Sequence, residues 1–263
     1  MQVVHGVEGL APSLGRLFVV IGVFDGLHLG HQYLLRELVR EAGRLDATPA
    51  VLTFDHHPDE ILTGTAPPLL CDPEERLELL EAAGIGVTIV QTFDVTLRRT
   101  PYDAFVRSIV HRVDLAGFLM TPESGFGFER RGTPETVARL GSELGYEVVV
   151  VPPFTLDDSP VTSSAVRAMI ARGDLAGASR LLGRGVSVFG TVVGAMRSAT
   201  ALEFALPVAL PPSGRYEAVV RTPGGALRQR SLEIDAGGVR IQPAVPSATG
   251  ARLEVRLIRS APG

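Results

Sequence analysis

The chain contains no lysine: all 25 basic residues among its 263 are arginine. That absence excludes every mechanism built on a lysine, whether a P-loop phosphate contact, a Schiff base or an amine nucleophile. The single cysteine, Cys71, excludes an internal disulfide and any multi-cysteine metal centre, and reads as a small hydrophobe, buried or half-buried. No apolar run approaches the roughly 18 residues of a membrane helix. The first residues also lack a basic stretch followed by an apolar one, so a cytosolic, cytoplasmic protein without membrane partners is expected. With 45% hydrophobic and 21% charged residues and no internal repeat, disorder, collagen and coiled coil are excluded.

What is present is unevenly distributed. Residues 1–185 hold 16 arginines and 24 acids, whereas residues 186–263 hold 9 arginines and 5 acids, giving net charges of −8 and +4. The basic part has three aromatics (Phe189, Phe204, Tyr216), and its arginines, such as Arg228 and Arg230, fall in no RNA- or DNA-binding motif. A solvated face, or a surface docking on the acidic first part, is expected rather than nucleic-acid binding. All six histidines precede residue 112, so imidazole chemistry belongs to the first part.

Short apolar runs at 17–21, 50–54, 87–91, 115–120 and 147–151 alternate with helical spacings, for example Leu34, Leu35, Leu38, Val39 and Ala42. Three helices are expected to open on a cap residue followed by proline, at Asp72-Pro73, Thr100-Pro101 and Thr133-Pro134. Glu75, three residues after Asp72, completes a capping box in this reading. Gly84 and Gly145 suit left-handed helix stops. Strands that are apolar almost throughout imply a parallel sheet covered on both faces, a doubly wound α/β pattern that binds ligands at the carboxyl ends of its strands. Two short helices are expected at 163–171 and 174–182, separated by Gly173. Beyond Gly183, β-type runs at 186–193, 216–221 and 253–258 are divided by Pro211-Pro212, Pro223-Gly224-Gly225 and Gly237-Gly238. They predict a small antiparallel barrel or sandwich, with the domain boundary at 185/186.

The sharpest segment is Gly22-Val23-Phe24-Asp25-Gly26-Leu27-His28-Leu29-Gly30-His31, between the first expected strand and the helix that follows it. Its glycines let the backbone approach a ligand, and the free amides of a helix N-terminus attract phosphate. His28 and His31, three apart on a helical turn, project to one side. Two imidazoles there form a preorganised site for charge developing on phosphorus. A zinc site would need a further ligand, and neither HExxH nor CxxC occurs.

This segment resembles the HxGH signature of the nucleotidylyltransferase superfamily, and the preceding Phe-Asp-Gly is most similar to the bacterial FAD synthetases. Other segments match in order: Thr53-Phe54-Asp55-His56-His57-Pro58, Phe93-Asp94, and Val161-Thr162-Ser163-Ser164-Ala165-Val166-Arg167, the last resembling I-S-S-T-x-x-R. Gly173-Asp174 and Leu181-Leu182-Gly183-Arg184 follow. The resemblance spans roughly residues 15–195 and implies a Rossmann-like nucleotidylyltransferase domain over 1–185. It implies transfer of AMP from ATP, carried with Mg²⁺, to FMN. His28 and His31 would stabilise the transition state, and Gly22, Phe24, Asp25, Gly26 and Gly30 would cradle ATP. Thr162, Ser163 and Ser164, at a helix start, and Arg167, one turn on, would hold the leaving phosphates. No resident metal site is expected.

Two departures bear on the acceptor and on the second domain. The family's flavin-holding loop, G-x-[DN]-F-x-F-G-x-x-R-x-G, aligns with Thr121–Gly132. Phe126, Gly127, Arg130 and Gly132 are kept, whereas Thr121, Glu123 and Ser124 replace the first glycine, the aspartate or asparagine and the first phenylalanine. The acceptor residues expected are His57, Glu123, Phe126, Gly127 and Arg130, with one aromatic plane lost at Ser124. His56 also stands in place of a proline. The family's second domain is a riboflavin kinase barrel with a P-T-A-N motif. Here residues 186–263 keep Gly190-Thr191-Val192-Val193, but Phe204-Ala205-Leu206-Pro207-Val208 has no Thr-x-Asn. Glu254, on a strand resembling the one that carries the kinase base, reads as a solvated residue. An inactive kinase-like domain is expected. Two further readings stay open: the same reaction on another phosphate monoester, prompted by Glu123 and Ser124, and a non-catalytic flavin- or nucleotide-binding protein. A class I aminoacyl-tRNA synthetase shares HxGH but pairs it with a lysine loop, and lysine is absent.

Overall fold

The computed structural model describes residues 1–195, 198–222 and 224–260; Pro223, one of the expected turn residues, lies outside them. The chain forms two compact units, one of Met1–Pro67 with Leu77–Pro160 and one of Pro68–Arg76 with Val161–Gly263. No helix among the described residues is long and apolar enough to cross a membrane.

The first unit is built on a six-stranded parallel sheet: β1 (Gln2–His5), β2 (Arg16–Ile21), β3 (Thr48–Phe54), β4 (Val87–Gln91), β5 (Asp114–Met120) and β6 (Glu147–Val150), in the order β1-β4-β3-β2-β5-β6. The five expected strands are present within two residues at each end. β1, whose residues are mostly exposed, adds an edge that the sequence did not signal. The helices are α1 (Leu29–Arg44), α2 (Asp59–Thr63), α3 (Pro73–Ala82, of which Leu77 onward belongs to this unit), α4 (Val95–Arg99), α5 (Tyr102–Val110) and α6 (Pro134–Leu144). The core gathers Leu17, Val19, Leu52, Ile89, Ile109 and Phe118, each at most 1% exposed. Side chains of this size contribute about 1.5–3 kcal/mol apiece when fully buried. From β2 the chain winds outward through β3 and β4, then returns to lay β5 on the other side of β2. That reversal puts a crevice above the carboxyl ends of β2 and β5, the general position of ligands in such sheets.

The capping expectations divide. Thr133 and Thr136 form the capping box of α6, and Gly145 closes that helix at φ 84°. At α3 the Asp72 carboxylate accepts from the Glu75 amide (2.7 Å), but the Glu75 carboxylate faces Arg184 and Ser187 instead of returning to the cap, so no box forms there. Thr100 does not cap α5; its hydroxyl donates to the Thr96 carbonyl at the end of α4, and Pro101 stands at the N-cap.

The second unit contains α7 (Ser163–Ala171), α8 (Leu175–Leu182) and a closed antiparallel barrel, which decides the barrel-or-sandwich choice. A two-residue hairpin, β7 (Thr155–Leu156) with β8 (Ser159–Pro160), precedes α7 in the first unit. The barrel strands are β9 (Ser187–Ala195), β10 (Thr200–Glu203), β11 (Gly214–Arg221), β12 (Leu227–Asp235), β13 (Gly238–Gln242) and β14 (Arg252–Ser260), ordered β10-β13-β12-β11-β14-β9 and closed between β9 and β10. One core unites Val166, Ile170, Leu175 and Ala178 of the two helices with Val192, Leu232, Ile241 and Leu253 of the barrel. Residues 161–185 therefore pack with the barrel rather than with the parallel sheet, whereas a boundary at 185/186 was expected.

The segment Pro68–Arg76 is a strap belonging to this second unit. Leu69 pairs with Val208 as a parallel bridge, through Leu69 N to Pro207 O and Ala209 N to Leu69 O, both 2.8 Å. Leu70 enters the core, and Asp72 receives two contacts of 2.8 Å from Arg252, whose guanidinium lies 4.0 Å above the Phe189 ring. Cys71 is buried, as expected.

Candidate active site

β2 ends at Ile21, and Gly22 donates to the Leu52 carbonyl of β3 at 3.0 Å. The Thr53 hydroxyl donates to the Val23 carbonyl at 2.9 Å, tying the first motif to the second. The backbone then turns sharply: Phe24 lies at φ 52° and Gly26 at φ 74°, with Asp25 buried at 2% exposure. This turn delivers His28 to the N-cap of α1.

The two histidines stack, with ring centroids 3.7 Å apart and planes 17° from parallel. The His28 Nδ1 accepts from the His31 amide at 3.3 Å, which leaves Nε2 as the ring's donor. Phe24 lies tilted against His31, with ring centroids 5.1 Å apart. Loss of solvent, and secondarily the neighbouring His28, hold the His31 imidazole well below its ordinary pKa of 6.5. The His31 ring is thus neutral near neutral pH. The buried Nδ1 of His31 has no hydrogen-bond partner among the described residues. In the tautomer that carries its proton on Nδ1, this unpaired atom beside the amides of a helix N-terminus suits an anionic oxygen.

A cavity of about 780 Å³ opens beside this turn, beginning at Ile21, Gly22 and Val23. Six phenylalanines line it. Phe54 and Phe93 meet edge to face at 5.4 Å, and Phe126 lies 6.1 Å from Phe105 and 5.9 Å from Phe118. The loss of one aromatic plane at Ser124 therefore leaves the site rich in them. His57 lines the cavity with its Nδ1 accepting from the Asp59 amide at 3.2 Å.

The loop from Thr121 to Gly132 is held by its own bonds. Ser124 Oγ accepts from the Thr121 amide (2.9 Å), so the two substituted residues form a turn. Arg130 donates to the Glu123 carbonyl (3.0 Å), and Phe126 pairs with Gly132 across the loop. Phe126, Gly127 and Arg130 line the cavity, but Glu123 does not; its side chain is exposed and its carbonyl serves the loop. The sequence reading of Glu123 as an acceptor contact thus finds a structural role in its place. Gly127 packs against α5, where a Cβ would fall 2.6 Å from both the amide nitrogen and the Cα of Tyr102.

The second motif belongs to the other unit. Thr162 caps α7, its hydroxyl accepting from the Ala165 amide at 3.2 Å, with Ser163 and Ser164 in the first turn. Arg167, one turn on, donates from Nε to the Pro68 carbonyl of the strap at 2.8 Å. In the barrel, Glu254 is not a solvated residue: it pairs with Arg221 (2.7 Å) and Arg256 (3.1 Å). Sequence reasoning missed Arg98 at the cavity rim. An exposed arginine in a five-residue helix carries no signal in its spacing.

Comparison with known proteins is consistent with this geometry. Residues 11–165 match the family model described as FAD synthetase. A bifunctional riboflavin kinase/FMN adenylyltransferase of Haemophilus influenzae is 32% identical over 73% of this chain, which spans 63% of that protein's length. A protein of the same description from Pseudomonas fluorescens is 28% identical over 98% of this chain and 83% of its own. Among solved structures, one described as a macrolide-efflux protein from Streptococcus pneumoniae superposes with a TM-score of 0.82 at 21% identity. It covers all of this chain and 93% of its own, a likeness of fold.

Proposed function

Because this chain belongs to the FAD synthetase family, we propose that it transfers AMP from Mg²⁺-ATP to FMN, giving FAD and pyrophosphate. A phosphate oxygen of FMN attacks the α-phosphorus in line, the bond from that phosphorus to the bridging oxygen breaks, and pyrophosphate leaves with the electron pair. The observation that carries this reading is the stacked His28–His31 pair, with its unpaired buried Nδ1, beside an aromatic cavity. As hydrogen-bond donors the two imidazoles stabilise charge that grows at the α-phosphate in the transition state, where fixed donors act without reorganisation. The amides that open α1 add the helix N-terminus to the same task.

The cavity supplies the acceptor site: Phe126 and Phe128 border it, and Ser124 is turned into the loop's own hydrogen bonding. That favours a planar aromatic ring over a small phosphate monoester. The hydroxyls of Thr162, Ser163 and Ser164 and the guanidinium of Arg167 are of the kind that binds β- and γ-phosphates, and Arg167 is steadied within its own unit by the Pro68 carbonyl. Mg²⁺ bound with the nucleotide would supply neutralisation of charge on its phosphates. Among the described residues no three His, Cys, Asp or Glu side chains gather as a metal site. The chemistry asked of the protein is positioning and electrostatics.

The barrel does not phosphorylate riboflavin in this account. Two observations support that: Pro207 and Ala209 bond to the strap through Leu69, and Glu254 is neutralised by two arginines. Incubation with Mg²⁺-ATP and either FMN or riboflavin, followed by chromatography, tests both halves. FAD is expected from FMN and no FMN from riboflavin. Absence of FAD would reject the adenylyl transfer, and FMN made from riboflavin would reject the silent barrel.

A further inference from the structure

We propose that Arg98 is a specificity residue of the acceptor cavity, donating from its guanidinium to the carbonyl edge of a bound flavin ring. The proposal rests on the cavity being the flavin site. The inner wall, where Phe105, Phe118 and Phe126 cluster, offers hydrocarbon and ring edges but no strong donor. Isoalloxazine is amphipathic: one end is a dimethylbenzene, and the other carries two carbonyl oxygens and an acceptor nitrogen. An apolar wall matches the first end. The second needs donors, which an unpaired polar group makes valuable in a partly dry site.

Charged groups around the rim are not equivalent. Asp59 and Glu129 are carboxylates and repel carbonyl oxygens, and Glu129 is already paired with Arg131. Arg130 spends one guanidinium nitrogen on the Glu123 carbonyl to hold the loop. Arg98 donates from Nη1 to the Ile61 carbonyl at 3.3 Å, and among the described residues it makes no other hydrogen bond or ion pair. Its Nε and Nη2 protons are therefore uncommitted. The residue is also well based. Asp94 caps α4 by accepting from the Leu97 amide (2.7 Å), and Thr100 closes the same helix by donating to Thr96. One fixed contact and a fixed helix leave a planar fork of defined reach at the cavity mouth, the geometry in which arginine reads adjacent acceptors.

The test is calorimetric binding of FMN, 2-thio-FMN and 4-thio-FMN to the full chain and to Arg98→Ala, with ATP kinetics alongside. Sulfur is a weaker acceptor than oxygen, so the wild type is expected to bind at least one thio-flavin several-fold more weakly than FMN. Arg98→Ala is expected to bind FMN about 10-fold more weakly, as for loss of one charge-assisted hydrogen bond, and to lose the discrimination between oxygen and sulfur. The KM for ATP stays unchanged. Wild-type FMN affinity in Arg98→Ala overturns the proposal. So does a uniform loss for all three flavins with discrimination intact, which would mean that the arginine acts through Ile61 and α2. A wild-type protein that binds no FMN at all overturns the flavin reading of the cavity itself.

Discussion

Gly127→Ala puts the acceptor loop under the severest test that a single methyl group allows. Gly127 lies at φ 72° and ψ −178°, a backbone region essentially reserved for glycine, in which another residue costs about 1–3 kcal/mol. The added Cβ would also sit 2.6 Å from the Tyr102 amide nitrogen and Cα, backbone atoms of α5 that cannot rotate aside. The loop has to withdraw, taking with it Phe126, Phe128 and Arg130 of the cavity wall. Because the loop is peripheral to the core, most of the strain is relieved by that movement. Loss of thermal stability should stay near 2–4 °C for each kcal/mol retained. FMN affinity, measured by titration, should fall at least about 10-fold, since 1.4 kcal/mol lost at the binding surface suffices. ATP affinity should be unaltered. Wild-type FMN binding by this variant would refute the assignment of the loop to the acceptor.

Three further outcomes are expected. His31→Ala should lower turnover at least about 100-fold, as for removal of one transition-state donor, with ATP binding little changed in a direct titration; unchanged turnover would reject the histidine mechanism. Tyr146→Phe removes the buried hydroxyl that donates to the Val137 carbonyl at 2.9 Å and should cost about 1 kcal/mol in denaturant unfolding without altering activity. Burial pushes the Glu75 carboxyl up from 4.5 to about 7, against the pull of Arg184 and Ser187. The folded chain thus holds a proton that the unfolded chain has already released, and stability falls as pH rises through that window. Unfolding free energies measured with denaturant on either side of the window should differ less in Glu75→Gln than in the wild type, by at most about 3 kcal/mol. A steeper dependence in the variant would contradict the assignment.

Much of the parallel sheet was legible because its strands are short, apolar and separated by helices with caps. β1 escaped notice because its residues are mostly exposed, and the barrel strand β12 because Leu227–Gln229 are exposed and charge interrupts its alternation. The histidine pair was legible from spacing alone, since three residues on a helical turn bring two rings together. Their stacking and the unpaired nitrogen depend on side-chain rotamers that spacing does not encode. Replacement of a phenylalanine by Ser124 suggested a weakened acceptor site. In the structure Ser124 serves the turn, while Phe54 and Phe93, which are remote in sequence from the loop, supply aromatic surface. The strap was invisible for a related reason. Its contacts to Val208, Arg252 and Arg184 join residues more than 100 positions apart, and no local pattern encodes such pairing. The apparent capping box at Glu75 failed because the same long-range partners claimed the carboxylate.

The most direct measurement of the central claim follows the label of ATP marked at the α-phosphorus, with FMN as acceptor. The account predicts that the label enters FAD mole for mole with the pyrophosphate released, and that His31→Ala abolishes nearly all of it. Label remaining in ATP, or appearing in AMP without FAD, would contradict adenylyl transfer to the flavin.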